Sequence, residues 1–275
     1  MIRLFVIVLF FFGYCSVLYG DLMKEMDKAE KKYSENVSQT LVAFMSLETM
    51  FANERVRELA KAAGKGQIEK INQLVGEGVD VNSLGKSNAT PLFWAMRDID
   101  GFKRLLELGA NPNILFDDGG SVMHWAAQHK NVAYLKLALE FGGDPNLGDI
   151  KLNESPLFEV ITHNLNARVA LLINAGADVN HRNWAGETVI FLAARMNQYE
   201  LVYKMLDEYH ADYNIANLKT GDTLAHSIAY SGEHIDPSFS QEKWRVKVIE
   251  WLNLRGIKIP KWQPLIERGL VPPIK

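Results

Sequence analysis

The chain has 275 residues, 48% of them apolar and 23% charged, a composition that allows a sizeable core and excludes global disorder. Its 30 Lys and Arg against 33 Asp and Glu leave a formal charge of −3, so there is no basic excess to support nucleic-acid binding. With one cysteine, an internal disulfide framework and a multi-cysteine zinc site are both excluded.

Leu4 to Phe12 is an uninterrupted apolar run behind Arg3. Its character fades through Gly13, Tyr14, Cys15 and Ser16 to Gly20, and Asp21 opens a charged stretch. A positive start, a short apolar core and a small residue before a charged one predict a secretory signal over 1–20, cleaved after Gly20. Two alternatives share the segment. Leu4 to Gly20 reaches the lower length limit of a membrane anchor, and Cys15 is a lipoprotein attachment point, though Tyr14 stands where a small residue is needed. Cleavage removes Arg3 and Cys15 and takes the charge to −4. The expected location is periplasmic or envelope-associated, or anchored in the inner membrane if the segment stays.

Residues 21–50 begin with a solvated, helix-compatible stretch from Lys24 to Glu35. Val37, Leu41, Val42, Phe44, Met45 and Leu47 follow, apolar enough to cover the start of a core. A capping helix is expected there.

From residue 51 the chain repeats. One phrase recurs as Gly78-Val-Asp-Val-Asn82, Gly109-Ala-Asn-Pro-Asn113, Gly143-Asp-Pro-Asn146, Gly176-Ala-Asp-Val-Asn180 and His210-Ala-Asp-Tyr-Asn214, with closing asparagines 31, 33, 34 and 34 residues apart. A second phrase alternates with it: Thr90-Pro-Leu92, Ser121-Val-Met123, Ser155-Pro-Leu157, Thr188-Val-Ile190 and Thr223-Leu-Ala225. Thr or Ser before Pro or an apolar residue starts a helix, since the hydroxyl caps free N–H groups and proline is tolerated in the first turn. Gly109 and Gly176 end a second helix, where a left-handed residue is cheap. Asp and Asn then stabilise the turn into the next unit. No such unit buries its apolar face alone, so the units must stack.

These motifs, with His124-Trp125-Ala126-Ala127, Phe191-Leu192-Ala193-Ala194 and the Leu105-Leu106, Leu171-Leu172 and Met205-Leu206 pairs, resemble the ankyrin repeat over residues 51–260. The resemblance implies an all-α solenoid of helix–turn–helix units with short β-hairpin loops, about six repeats including degenerate caps. The units are 51–82, 83–113, 114–146, 147–180, 181–214 and an irregular 215–260 that carries a polar insertion near 231–243. The tail 261–275, with Pro264, Pro272 and Pro273, cannot continue a helix and is an ordered wrap or a loose end.

Catalytic constellations are poor. Gly119-Gly120-Ser121 lacks the rest of a nucleophile elbow, Gly64-Lys-Gly66 lacks the spacing of a phosphate loop, and no histidine has a metal-site spacing to another. Asp117-Asp118 reads as a solvated turn. The resemblance assigns His124 and His226 to hydrogen bonds between repeats. No enzyme activity, metal or cofactor is expected.

What the resemblance offers instead is a binding face for another protein. It places the residue after the first-helix histidine and the loop after each closing asparagine on the concave side. Here these are Trp94, Trp125, Glu159, Leu192 and Ser227, with Phe116, Asp117, Asp118, Arg182, Trp184 and Lys219 in the loops. Exposed aromatics with a charged rim have the composition of interface anchors. Alternatively, Trp94 and Trp125 are half-buried packing over neighbouring repeats. The phrases Arg55-Val-Arg-Glu-Leu-Ala60, Ala89-Thr-Pro-Leu-Phe-Trp-Ala95 and Phe102-Lys-Arg-Leu-Leu106 resemble bacterial envelope ankyrin proteins paired with secreted antibacterial toxins. That implies a periplasmic immunity protein, monomeric when unbound, that occludes a lipase-type effector of type VI secretion. The alternatives are an accessory protein for a periplasmic enzyme or envelope assembly, and a secreted effector that binds host proteins.

Overall fold

A computed structural model describes residues 42–117, 119–232, 240–263 and 268. By backbone proximity the chain divides into Met1–Ser46 and Leu47–Lys275. In the first unit the described residues form a 3-10 turn, Val42–Phe44. The expected signal, and the leader through Leu41, lie outside the described residues. Among those described, no helix is long and apolar enough to cross a membrane.

The second unit opens with a one-turn helix, α1 (Leu47–Met50). Met50 and Phe51 are buried, and the Met50 carbonyl and Phe51 ring occupy the space a side chain on Gly85 would need. This segment therefore lies directly on the first inter-repeat loop. Paired helices follow. Asn53 caps α2 (Glu54–Ala63) by accepting from the Arg55 and Val56 N–H groups, and α3 (Ile68–Gly76) returns beside it. Thr90 caps α4 (Pro91–Trp94), with Pro91 in the first turn, and Asp98 caps α5 (Ile99–Glu107). Next come α6 (Val122–Gln128) and α7 (Ala133–Glu140), then α8 (Pro156–Thr162) and α9 (Val169–Asn174). The last pairs are α10 (Val189–Arg195) with α11 (Tyr199–Asp207), and α12 (Leu224–Gly232) with α13 (Glu242–Asn253). No strand occurs among the described residues beyond one isolated bridge, Leu115 to Ser121. The result is the all-α solenoid expected from the repeats.

The core runs through the stack as one apolar column, including Leu59, Leu92, Leu105, Met123, Leu157, Leu172, Ile190, Met205 and Ile228, all fully buried. Small residues set the spacing. The Cβ that an alanine would add at Gly101 falls 1.8 Å from the Ala63 carbonyl oxygen, so α5 touches the end of α2 through bare backbone. At the corresponding turns of later repeats a side chain reaches back instead. Arg168 donates to the Ala127 carbonyl at 2.6 Å, Gln198 to Ile161 at 2.9 Å and Ser231 to Ala194 at 3.2 Å. Each adds a side-chain donor to a carbonyl at the end of the preceding first helix, where the intrahelical bonds run out; the Ile161 and Ala194 carbonyls also accept the N–H of Asn164 and Asn197.

The closing asparagines have a two-handed role. Asn82, Asn113 and Asn146 each donate to a carbonyl of the next repeat (Gly109, Gly142, Gly176) at 2.8–3.0 Å. Their oxygens accept the N–H of Asn111, Asp144 and Asp178 at 2.7–2.8 Å. An amide can do both because it carries a donor and an acceptor on one short stem. His124 makes a second kind of bridge. Its Nδ1 accepts from the Ser121 N–H at 3.1 Å, and its Nε2 meets the Glu154 carbonyl of the next repeat at 3.0 Å.

At the far end Val248 and Leu252 of α13 close the column. Residues 233–239 of the insertion lie outside the described residues, as does most of the tail. Within the tail, Arg268 pairs with Asp222 at 2.7 Å and donates to the Thr220 carbonyl at 3.2 Å, so the chain returns over the last loop at that point.

Candidate interaction surface

Between each closing asparagine and the next first helix the chain makes a tight reversal. The N–H groups of Gly85, Phe116, Asp149, Asn183 and Asn217 donate to the carbonyls of Ala89, Gly120, Glu154, Glu187 and Asp222 at 2.8–3.0 Å. Short polar side chains hold the tips. The Asn183 oxygen accepts from the Ala185 and Glu187 N–H groups, and the Asn217 oxygen accepts from Lys219 and Thr220. The reversals are also joined to one another. The N–H of Asp117 donates to Ser87 O at 3.1 Å, Ile150 to Gly119 at 3.3 Å, Trp184 to Leu152 at 2.8 Å and Leu218 to Ala185 at 2.9 Å. Five loops thus form one hydrogen-bonded edge.

That edge carries large apolar groups in water: Leu84, Ile150, Leu152, Trp184 at 64% exposure and Leu218 at 71%. Lys86, Lys151 and Lys219 share the same loops, and Asp117 interrupts the row. A rigid row of exposed apolar tips between charged neighbours is suited to docking, because little ordering entropy remains to be lost on binding.

The structure sorts the sequence-derived site residues into three groups. Trp184, Lys219, Arg182 and Asp117 are exposed on the loop edge. Arg182 is partly committed to it, donating to the Ala216 carbonyl at 3.0 Å and to Gly186 at 3.2 Å. Asp117 accepts from the Asn88 amide at 2.7 Å. Trp94, Trp125, Glu159 and Leu192 are half-buried on the first helices. Phe116 requires a correction. It is fully buried, turned under its loop against Phe93 at a ring distance of 5.2 Å, because the apolar column below offers it a place that solvent does not. Ser227 is also buried. Asp118 lies outside the described residues.

The tryptophans are sheltered by their own chain. Trp94 lies along Gly64, where an added Cβ would stand 2.8 Å from its ring, and Arg97 stacks over it at 3.6 Å. Trp125 packs edge-on against Phe93 at 5.5 Å. Sequence reasoning passed over Ile150, Leu152, Leu84 and Leu218. The available signal was an apolar residue set among Lys, Asn and Asp inside a loop.

Glu159 is the electrostatic outlier among these residues. Burial pushes its carboxyl up to about 7, with Glu154 and Asp149 raising it further and His163 opposing. Burial likewise lowers His124, consistent with a neutral ring that accepts at Nδ1. Among the described residues no group of three His, Cys, Asp or Glu is placed to hold a metal.

A family model described as ankyrin repeats (3 copies) matches residues 59–149 and 123–217, together more than half of the chain. An ankyrin repeat protein of Acanthamoeba polyphaga mimivirus is 25% identical over 210 residues, which is 67% of this chain and 26% of that protein. Protein PhlB of Serratia liquefaciens is 30% identical over 142 residues, 51% of this chain and 62% of PhlB. The chain thus spans less than two thirds of either relative. Among solved structures, the ankyrin repeat domain of Bcl-3 is similar at a TM-score of 0.53 and 21% identity, covering 62% of this chain and 92% of that one. The likeness is one of fold. With the family model, the asparagine clamps and the paired helices in agreement, the chain belongs to the ankyrin-repeat family.

Proposed function

We propose that this chain is exported and binds a partner protein through its loop edge, with Trp184 and Leu218 as the main anchors. In its specific form, the proposal is a periplasmic immunity protein that neutralises a secreted phospholipase-type antibacterial effector by covering its active-site mouth. The observation that carries the binding role is the row of exposed apolar tips on a hydrogen-bonded edge. A stable protein has little reason to hold Trp184 and Leu218 in water, and such groups dominate interface energetics. Export and the toxin partner rest on the apolar N-terminus and on the sequence resemblance described above. Trp94 and Trp125, sheltered as they are, act as support for the face.

The test is a toxicity assay in which a secreted phospholipase-type effector is delivered to the periplasm of cells that make this chain. Trp184→Asp combined with Leu218→Asp is expected to abolish protection and weaken binding by at least about 100-fold, with an unchanged circular dichroism spectrum. Full protection by the double variant overturns the anchor assignment. Failure of the unaltered chain to protect overturns the immunity role.

A further inference from the structure

The last helix, α13, turns Val248 and Leu252 inward to close the column and packs on α11. Its outward side and the segment after it are basic. From 243 to 261 the exposed ionisable residues are Lys243, Lys247, Arg255, Lys258 and Lys261 against the single carboxylate of Glu250. Glu242 and Arg245 neutralise each other at 2.7 Å. Five cations and one anion leave an excess of four positive charges here, in a chain whose total is −3.

Two of the cations rest on indole rings. The Lys247 ammonium lies 4.2 Å from the centre of the Trp244 ring and 6.0 Å from that of Tyr203. The Arg255 guanidinium stacks over Trp251 at 3.4 Å. Such contacts orient the side chains without neutralising the charge. The rings are braced from behind, Trp244 by Tyr203 at 5.6 Å and Trp251 by Tyr213 at 5.4 Å, and the Trp251 N–H donates to Asp207 at 3.3 Å. Trp244, Lys247, Trp251 and Arg255 follow at steps of three and four residues, so they form one stripe along the helix and the turn after it. Beside the stripe stand Val246 and Leu254, the latter 85% exposed.

We propose that this face docks on the surface of an anionic phospholipid membrane. Lysine and arginine interspersed with tryptophan and exposed aliphatic groups have the composition of a helix that lies in the lipid interface. The cations meet headgroup phosphates, the indoles suit headgroup depth, and Leu254 and Val246 reach toward the acyl boundary. Four of the five cations are lysine, which is depleted at protein–protein interfaces. Near an anionic leaflet each adds about fivefold to the binding constant. The face shares no residue with the loop edge, and a chain docked here keeps that edge for a protein.

The experiment titrates the full-length protein with vesicles of phosphatidylcholine alone and of an equimolar mixture with phosphatidylglycerol, both with brominated acyl chains, and follows the quenching of indole fluorescence. No tryptophan precedes Trp94, so the apolar N-terminus is silent in this readout. The mixed vesicles are expected to quench, at a lipid concentration at least about tenfold below that needed with phosphatidylcholine alone. Replacing Trp244 and Trp251 together by Phe should remove most of the quenching, whereas Trp184→Phe should leave it unchanged. Lys243→Glu combined with Lys247→Glu should weaken binding at least about tenfold with an unchanged circular dichroism spectrum, and Leu254→Asp, at a solvent-exposed position, should weaken it as well. The proposal is overturned if the mixed vesicles do not quench, if both vesicles quench equally, or if the charge reversal leaves quenching intact. It is equally overturned if polyglutamate binds the chain and the mixed vesicles do not, which would make the face a dock for an acidic protein.

Discussion

His210 stands where the other repeats end their second helix on glycine. Gly78, Gly109, Gly142 and Gly176 hold φ between 85° and 94°, and His210 is held at 53°. Left-handed backbone costs a side-chain-bearing residue about 1–2 kcal/mol, part of which glycine gives back through its freer unfolded chain. His210→Gly is therefore expected to stabilise the fold by about 0.5–1 kcal/mol, read as a raised urea midpoint at constant slope.

Two other residues make stability depend on pH in opposite senses. Glu159, raised from an ordinary 4.5 to about 7, holds its proton more tightly in the folded chain. Its contribution is complete below about pH 4.5 and is lost as pH rises through about 7. His124 is lowered by burial, so its contribution is present above about 6.5, the ordinary histidine value, and is lost as pH falls below it. Glu159→Gln removes the first effect alone. It should stabilise the protein by about 1–3 kcal/mol at pH 8 and change little at pH 4.5, as measured by denaturant titration at the two pH values. Equal gains at both would remove the carboxylate from the account.

Among the elements, the junction between repeats depends on the asparagine clamps more than on helix propensity. Asn146 joins the third and fourth repeats through both its amide nitrogen and its oxygen. Asn146→Ala is expected to cost about 1–3 kcal/mol, while Asn146→Asp, which keeps the acceptor and loses the donor, should cost less. A thermal melt of the two variants separates the contributions. The repeat units were legible in the sequence because two independent phrases kept one period, and the capping hydroxyls and terminal glycines fell where short-range chemistry requires them. The binding edge was legible only in part. Whether Phe116 turns in or out, and whether Trp94 is free or covered, depends on groups one repeat away: Phe93 beneath the loop, Gly64 and Arg97 around the indole. A one-dimensional pattern does not contain those neighbours. The back-reaching Arg168, Gln198 and Ser231 escaped for the same reason, since their partners lie 37–41 residues earlier.

For the whole molecule, the stack is a chain of similar junctions, each contacting only its neighbours. The loop edge gives every junction from the first loop to the last a backbone rung, and the clamps add side-chain ties in the earlier repeats. A cleft opens between the second helices of the fourth and fifth repeats. When the two ends are pulled in an optical trap, all junctions bear the same load, and the first rip is expected between α9 and α11. It should release a C-terminal block of roughly two repeats before the N-terminal block yields. Rupture that begins at α2 would contradict this ordering. The rungs of the loop edge act there as a ruler. They lock the apolar tips at the repeat spacing, so a partner must present its own contacts at that spacing, and a loop lengthened by one residue would put every tip beyond it out of step.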